Sequence, residues 1–156
     1  MAELETAPPA ADTRAALIGL DRDAVARVVA ECGAPAFRAK QLWHWIYHRG
    51  EGDFAKMTTL SKEARPKLAE RFRITRPQIA TEQKSQDRSR KWLLRFGDGN
   101  EAECVFIPED DRGALCISSQ VGCTLTCPFC HTGTQRLVRN LSAAEIVGQM
   151  MIARDA

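Results

Sequence analysis

The apolar residues of this chain follow a helical repeat up to Pro77 and an alternating repeat beyond it. Near the start, Val25, Val28 and Val29 recur at the three- and four-residue spacing of one helix face, which predicts an amphipathic helix. Asp21 stands in front of them as a helix cap, because its side chain can accept a free backbone N–H of the first turn. We therefore expect the first helix to begin directly after Asp21.

Two more helical segments precede the change of pattern. The apolar face of the first, at residues 37–47, consists of Leu42, Trp45 and Ile46. Ser61 is positioned to cap the second, which we expect to continue to Phe72. Pro66 lacks the N–H that a helix interior requires, so this helix is expected to be irregular at that point.

Beyond the change, short alternating runs predict strands. Four strands are expected, at residues 79–82, 91–96, 101–107 and 114–118. The sequence Gly-Asp-Gly-Asn at 97–100 is a hairpin turn between the second and the third strand. The fourth strand is apolar and is expected to be buried. After it, Ser142 and Glu145 form a capping box that opens a last helix.

The change of pattern also defines the domain organisation and the fold class, α+β to α/β. The chain is expected to consist of a disordered tail at 1–14, a helical N-terminal domain at 15–77, a β-hairpin segment at 78–109 and a strand–loop–helix unit at 110–156. One strand and one helix cannot close a barrel or cover both faces of a parallel sheet. Either the chain is the front portion of a longer protein or a partner completes the edge of the sheet, and we expect the former.

The composition is that of an ordinary protein, but charge is distributed unevenly along the chain. The 156 residues are 44% hydrophobic and 27% charged, as in an ordinary soluble protein, and no apolar run approaches the roughly 18 residues of a membrane span. The net charge is only +2, yet residues 35–76 carry ten basic and four acidic side chains, a net charge of +6. Such a block suits a phosphate-binding face or a solvated helical surface.

Residues 1–13 show no secretory pattern, so we expect a cytoplasmic location.

The strongest chemical signal is a group of three cysteines, Cys123, Cys127 and Cys130, at the spacing C-x3-C-x2-C. Thiolates are soft ligands that select iron–sulfur clusters, zinc or Cu(I). An ordinary 4Fe-4S cluster takes four protein thiolates, so three would leave one iron open to a substrate or cofactor. The alternative is a zinc site with His131 as fourth ligand, although zinc ligands usually come as two separated pairs and no second pair is present.

Two stretches around these cysteines narrow the interpretation. Residues 114–123 read Ala-Leu-Cys-Ile-Ser-Ser-Gln-Val-Gly-Cys, and residues 132–141 read Thr-Gly-Thr-Gln-Arg-Leu-Val-Arg-Asn-Leu. Together with the spacing, they resemble the radical S-adenosylmethionine (SAM) superfamily and, within it, the adenine C2 methyltransferases of 23S rRNA and tRNA, the RlmN family. The resemblance extends from about Leu17 to the last residue. It implies a small helical domain that helps to hold RNA, followed by the first β/α unit of a TIM-like radical SAM barrel.

The resemblance also implies cofactors and partners: a 4Fe-4S cluster, SAM, 23S rRNA, tRNA and an external electron donor such as flavodoxin. In the family, one SAM methylates a cysteine near the C-terminal end of the full-length protein. A second SAM yields the radical that activates this methyl group for transfer to adenine C2. No cysteine follows Cys130, so we expect these 156 residues to be inactive alone. A monomer that does not bind membranes is expected.

Individual roles also come from the resemblance. It implies that the three cysteines of the motif hold the cluster and that Phe129, between two of them, packs beside the cluster or the SAM adenine. Cys116 matches the resolving cysteine, which in the family can form a disulfide with the methylated one. Glu103 falls where the family has a proton acceptor. From the residues alone, Cys116 would be a buried strand cysteine and Glu103 a solvent-facing carboxylate.

Two other functions stay open at this point. An adenine C8 methyltransferase of the antibiotic-resistance type shares the mechanism and the motif, although the sequence around the cysteines fits the C2 type better. A non-enzymatic module could instead bind an iron–sulfur cluster or zinc and dock on RNA. Iron with labile sulfide would indicate a cluster, and a single zinc ion would indicate the module.

Overall fold

The computed structural model describes residues 12–125, 127–129 and 132–156. The helices in these ranges are α1 (Arg22–Glu31), α2 (Arg38–Trp43), α3 (Ala64–Arg71) and α4 (Ala143–Asp155), with a π-helical segment at His44–His48 and 3-10 turns at Phe54–Lys56 and Thr132–Thr134. The strands are β1 (Ala15–Ala16), β2 (Phe72–Arg73), β3 (Gln78–Lys84), β4 (Arg90–Arg95), β5 (Glu101–Pro108), β6 (Gly113–Cys116), β7 (Gln120–Val121) and β8 (Arg139–Asn140). This mixture confirms the predicted fold class. No helix within the described ranges is both long and apolar enough to cross a membrane.

The first half of the chain folds around one apolar core. As predicted, Asp21 caps α1, since its side chain accepts the N–H of Ala24 at 2.7 Å. The valine face of α1 is buried, and Cys32 directly after the helix is buried with it as a small core residue. The predicted apolar face of the next segment is confirmed as well. Its buried side chains are Leu42, Trp45 and Ile46.

The helix predicted at residues 37–47 changes its hydrogen bonding part-way along. It is α-helical through Trp43 and then adopts the wider π geometry. Trp45 and Ile46 both lie on the buried side of this wider turn. The indole Nε1 of Trp45 donates to Thr59 Oγ1 at 2.7 Å, so its polar atom is satisfied although the side chain is buried.

The helix predicted from Ser61 to Phe72 is shorter than expected. Ser61 does accept the N–H of Ala64, at 3.2 Å from its Oγ, but α3 begins only at that residue. Pro66 is therefore in the first turn, where a missing N–H costs no helical hydrogen bond. Phe72 is extended and pairs in parallel with Ala15. The prediction was wrong at both ends because spacing alone does not mark where helical dihedrals start and stop.

Four strands form an antiparallel sheet in the order β3-β4-β5-β6. The predicted hairpin is confirmed, with Arg95 of β4 opposite Glu101 of β5 around the turn at residues 97–100. One face of the sheet packs against α4, and the buried side chains there are Trp92, Leu94, Cys104 and Ile152. Because side chains alternate along a strand, Lys91 and Glu103 lie on the other face.

The prediction of a buried strand at residues 114–118 is wrong. β6 ends at Cys116 and lies at the edge of the sheet, where β5 is its only neighbour among the described strands. Cys116 is exposed, and Ile117 is 38% exposed. Only the side that meets α4 is covered, and Leu115 lies there. Apolar composition indicated a strand but not its position in the sheet, because strand preference depends on the neighbours.

Helix α4 joins the helical core to the sheet. Met151 packs into the helical core, while Ile152, the next residue, packs into the core of the sheet. A β-carbon at Gly148 would lie 2.6 Å from Cδ of Pro77, so the helix touches the chain where the apolar pattern changes. Both cores therefore depend on α4. The division of the chain into four parts stays a prediction.

Arg139 ties the hairpin turn to the start of α4. Its guanidinium donates to both carboxylate oxygens of Glu145, at 2.8 and 3.0 Å, and to Asp98 in the turn at 2.5 Å. Glu145 also completes the predicted capping box with Ser142. Hydrogen bonding by Arg139 holds the pKa of Asp98 well below its usual value. Burial would raise the pKa of Glu145, but the hydrogen bonds from Arg139 and Ser142 outweigh burial and the net pKa is lowered.

We expect this junction to make stability depend on acidic pH. A carboxyl whose pKa is lowered by folding stabilises the folded state above its unfolded pKa, about 3.9 for Asp, and this contribution is lost as pH falls through the folded value. The free energy of unfolding should therefore decline below about pH 4, and less steeply after Asp98→Asn. Urea unfolding at a series of pH values measures the slope. Asp110→Asn, at an exposed position after β5, should leave it unchanged, and equal slopes for Asp98→Asn and wild type would contradict the prediction.

Candidate functional site

The cysteine motif lies in a loop that is closed at its base by two short strands. β7 and β8 pair antiparallel, with Val121 opposite Arg139. Further along, the backbone of Cys123 forms an isolated parallel β-bridge with that of Arg136. The backbone N–H of Cys123 donates to the carbonyl of Gln135 at 3.3 Å. The two ends of the loop are therefore held together beside its first cysteine.

Two glycines allow the loop to fold this tightly. Gly122 has a φ of +74°, and a β-carbon there would collide with the carbonyl oxygen of Arg136. Gly133 approaches the backbone of Cys127, and a β-carbon there would lie 2.8 Å from the carbonyl oxygen of that cysteine. Both contacts leave no room for a side chain, so the path of the loop depends on these two residues.

Gly122→Ala should open the base of the loop. The substitution combines a left-handed backbone conformation with the collision at Arg136, and we expect a loss of about 2–3 kcal/mol in the free energy of unfolding. Gly99→Ala is the matched control, because Gly99 has a φ of +84° but nothing within 4 Å of its β-carbon position. Backbone strain alone should cost about 1 kcal/mol there. Urea unfolding compares the two variants, and equal losses would refute the role of the collision.

Cys123 and Cys127 are half-buried free thiols in this loop. The backbone N–H of Leu125 donates to Cys123 Sγ at 3.3 Å, a type of bond that tunes the sulfur ligands of iron–sulfur clusters. Cys130 and His131 lie outside the described residues, so the set of three thiolates and the zinc alternative both stay predictions. Across the ranges that the structure describes, no three metal-ligating side chains come together. The two sulfur donors that are placed fit a cluster by their chemistry.

Phe129 belongs to an exposed apolar rim on the loop. Its side chain is 88% exposed, and those of Leu125 and Val138 are 64% and 62% exposed. An aromatic ring that is this accessible contributes little to the core and is free to pack on a ligand. The predicted contact of Phe129 with the cluster or with SAM stays a prediction.

Cys116 and Glu103 lie on the same face of the sheet, the one turned away from α4. Cys116 is directly opposite Val105, and Glu103 is two residues from Val105 and hence on the same side of β5. Diagonal neighbours of this kind lie roughly 7–8 Å apart. Glu103 is exposed, and its carboxylate forms an ion pair of 2.7 Å with Lys91. The register of the sheet thus brings together two residues that are distant in sequence.

Cys104 differs from Cys116 although the two lie on neighbouring strands. It is fully buried in the core between the sheet and α4. Burial and, to a smaller extent, the nearby Cys116 raise the pKa of its thiol to about 11. A thiol that stays protonated at neutral pH is a poor nucleophile and a poor metal ligand. Cys104 is therefore a core residue, and none of the described cysteines forms a disulfide.

Sequence analysis did not single out Gln149, which the structure places next to the loop. The residue is fully buried in α4, and its carboxamide binds the backbone of Ser118 just beyond β6. The available signal was weak: a polar residue stands among Ile146, Val147 and Met150 in an apolar stretch. Its partner on another element cannot be read from that pattern.

Comparison with solved structures defines the class of protein. The crystal structure of a radical SAM methyltransferase from Sphaerobacter thermophilus matches with a TM-score of 0.81 and 37% sequence identity, covering 90% of this chain and 43% of that one. The chain therefore has the fold of the corresponding part of a radical SAM methyltransferase. This match confirms the fold that the sequence motifs implied.

Sequence comparisons then identify the family. Residues 15–74 match the model of the ribosomal RNA large subunit methyltransferase N-terminal domain. The dual-specificity RNA methyltransferases RlmN of Rhodospirillum rubrum, Gluconobacter oxydans and Granulibacter bethesdensis are 67%, 61% and 60% identical over 90%, 96% and 99% of the chain. The chain spans 33%, 38% and 40% of the length of these curated relatives. It belongs to the RlmN family and corresponds to the N-terminal portion of its members.

Proposed function

We propose that this chain is the cluster-binding part of an RNA methyltransferase that places a methyl group on C2 of adenine in 23S rRNA and tRNA. The observation that carries the proposal is the cysteine loop, which is closed beside Cys123 in the fold of a radical SAM methyltransferase. The names of the relatives, dual-specificity RNA methyltransferases, support RNA as the substrate. Adenine C2 is an unactivated ring carbon that ordinary nucleophilic methyl transfer does not reach, so radical chemistry suits it.

In this proposal Cys123, Cys127 and Cys130 hold a 4Fe-4S cluster. When bound, the cluster would supply one-electron chemistry to SAM. The chain itself fixes the thiolates: the N–H of Leu125 binds the sulfur of Cys123, and Gly133 packs directly on the backbone of Cys127. The exposed ring of Phe129 would cover apolar surface of the bound cofactor.

Cys116 and Glu103 act together on the face of the sheet turned away from α4. Methylation of C2 requires that the hydrogen of this carbon leaves as a proton. The carboxylate of Glu103 accepts that proton, and its ion pair with Lys91 orients it. Cys116, an exposed thiol at the end of β6, is the resolving cysteine that helps to release the product from the protein.

The basic block at residues 35–76 is the proposed RNA-binding surface. Among the described residues, its only ion pairs are those of Arg71 with Glu31 and of Arg76 with Asp155. The other eight of its ten basic side chains have no carboxylate partner among the described residues. Of these, Arg65 is already bound to the backbone carbonyls of Ala55, Thr58 and Leu60, so seven keep their charge for phosphate. Phosphate contacts of this kind supply essentially all of the affinity in non-specific nucleic-acid binding and are independent of sequence.

A shallow groove within this block combines charge with an aromatic ring. It has a volume of about 190 Å³, and its lining includes Lys40, Trp45 and Arg49. The guanidinium of Arg49 lies 4.3 Å from the centroid of the Trp45 ring. Because Trp45 is only 7% exposed and Arg49 lies over its ring, the groove offers positive charge to a backbone phosphate and no open aromatic face to a base. We also propose that the protein acts as a monomer in the cytoplasm and receives electrons from an external donor such as flavodoxin.

Metal and sulfide analysis of the 156-residue chain tests the proposal. After anaerobic reconstitution with iron and sulfide, we expect about four iron atoms and about four labile sulfides per chain. The predicted product also shows the broad visible absorption of a cluster. One tightly bound zinc ion without sulfide would contradict the proposal and would support a zinc-binding RNA module.

A further inference from the structure

Gln149 is a polar side chain in an apolar place. It is 0% exposed in the middle of α4, and it is the only buried polar or charged residue in the described part of the chain. Burying a carboxamide costs free energy unless its donors and its acceptor are bound. This position is therefore explained by the hydrogen bonds that the side chain makes.

Those hydrogen bonds converge on one residue just beyond β6. Oε1 of Gln149 accepts the N–H of Ser118 at 2.9 Å, and Nε2 donates to the carbonyl of the same residue at 2.9 Å. Nε2 also donates to the carbonyl of Glu145 at 3.3 Å, one turn earlier in α4. Binding both the N–H and the C=O of one residue is what a neighbouring strand does in a sheet. The side chain thus takes the place of a strand at the point where β6 ends.

Ser118 is held from a second side as well. Its Oγ donates to the carbonyl of Glu103 on β5 at 2.8 Å. In sequence it follows Cys116 by two residues and precedes Cys123 by five. The backbone of Ser118 therefore sets the direction in which the chain passes from the strand with Cys116 into the loop with Cys123.

We infer that Gln149 is a positioning residue for the cysteine loop, and that it acts through the backbone of Ser118. The inference rests on the proposed function, since the orientation of the loop matters for chemistry only if the loop binds a cluster. Removal of the carboxamide leaves two partly buried backbone groups of Ser118 without these partners. The loop then pivots at its entry, and the thiolates lose their fixed arrangement relative to Cys116.

Gln149→Met in the 156-residue chain tests the inference. Methionine has a similar volume and preserves apolar packing, but it cannot bind the N–H and the carbonyl of Ser118. We expect the amide of residue 118 to exchange about tenfold faster relative to core amides. The reconstituted chain should lose iron to a chelator about tenfold faster. Met150→Ala is the control, because Met150 is the next residue of α4, is 53% exposed and does not contact Ser118 through a hydrogen bond, and both rates should stay within about twofold of wild type.

Gln149→Glu is a second variant, in which protonation of the new carboxyl should restore both hydrogen bonds to Ser118. The protonated carboxyl accepts the N–H of Ser118 and donates to its carbonyl, whereas the ionised form can only accept. Burial favours the protonated form. The carboxylate of Glu145, one turn earlier in α4, is paired with Arg139, and that of Glu103, on the other face of the sheet, is paired with Lys91. Protection of the amide of residue 118 should therefore match that of the wild type at about pH 5 and fall about tenfold by about pH 8.

The outcomes separate this inference from the proposed function. If exchange at residue 118 in Gln149→Met is unchanged, or increases only as much as exchange at core amides, the inference is overturned, because the side chain then serves general stability. The same holds if Gln149→Glu shows no dependence on pH. A wild-type chain that takes up neither iron nor sulfide would refute the cluster instead, while amide exchange would still decide whether Gln149 holds Ser118.

Discussion

Cys123→Ala should abolish cluster assembly, reducing the iron content of the reconstituted chain from about four atoms to less than about one. The proposed ligand set is small: its three thiolates would leave one iron without a cysteine, so the loss of one thiolate would remove the support of a second iron. Cys127→Ala should have the same effect. Iron and sulfide analysis after anaerobic reconstitution measures both variants, and circular dichroism establishes that they remain folded.

Cys116→Ala is the matched control for these variants. Cys116 is an exposed thiol on the edge strand, with a proposed role in resolving the product and none in holding iron. Its replacement should leave iron and sulfide within about one-fifth of the wild-type content. A Cys123→Ala variant that retains its iron, or a Cys116→Ala variant that loses it, would show that the ligand set is wrong.

Trp92→Ala is expected to cause the largest loss of stability, about 3–5 kcal/mol in the free energy of unfolding. Trp92 is 0% exposed between the sheet and α4, and its indole Nε1 donates to Glu82 at 3.2 Å. The substitution removes a large apolar volume, leaves a cavity and deletes this hydrogen bond. Because domains are stable by only about 5–15 kcal/mol, the variant should be close to unfolding. Urea denaturation followed by circular dichroism gives the value.

Trp43→Ala serves as the control with the same residue type. Trp43 is only half-buried at the end of α2, where its ring lies 4.3 Å from that of Tyr47. Less apolar surface is lost there, and we expect a cost of about 1–2 kcal/mol. If the two tryptophan variants were equally stable, the core between the sheet and α4 would contribute less than its burial indicates.

Local signals in the sequence predicted much of the fold. Asp21 and the valine repeat after it specify α1 because capping and helix periodicity act over a few residues. The Gly-Asp-Gly-Asn turn at 97–100 specifies the β4–β5 hairpin for the same reason. The family was also accessible, because the spacing of the cysteines and the residues that flank Cys123 resemble the RlmN family.

Features that depend on tertiary neighbours were not predictable in this way. The apolar run at 114–118 indicated a strand, but its edge position and the exposure of Cys116 follow from which strand pairs beside it. The face shared by Glu103 and Cys116 depends on sheet register, which no local pattern fixes. Gln149 looked like an ordinary polar residue in a helix, because its partner lies 31 residues away in sequence.

Nucleoside mass spectrometry tests the central claim, that the protein methylates adenine C2 in RNA, most directly. The 23S rRNA and tRNA would be compared between wild-type cells and cells in which the gene encoding this chain is deleted. We predict that 2-methyladenosine disappears from both RNAs, returns with the intact gene and does not return with the Cys123→Ala variant. Unchanged 2-methyladenosine after deletion would contradict the account, and a loss of 8-methyladenosine in its place would assign the protein to the C8 type.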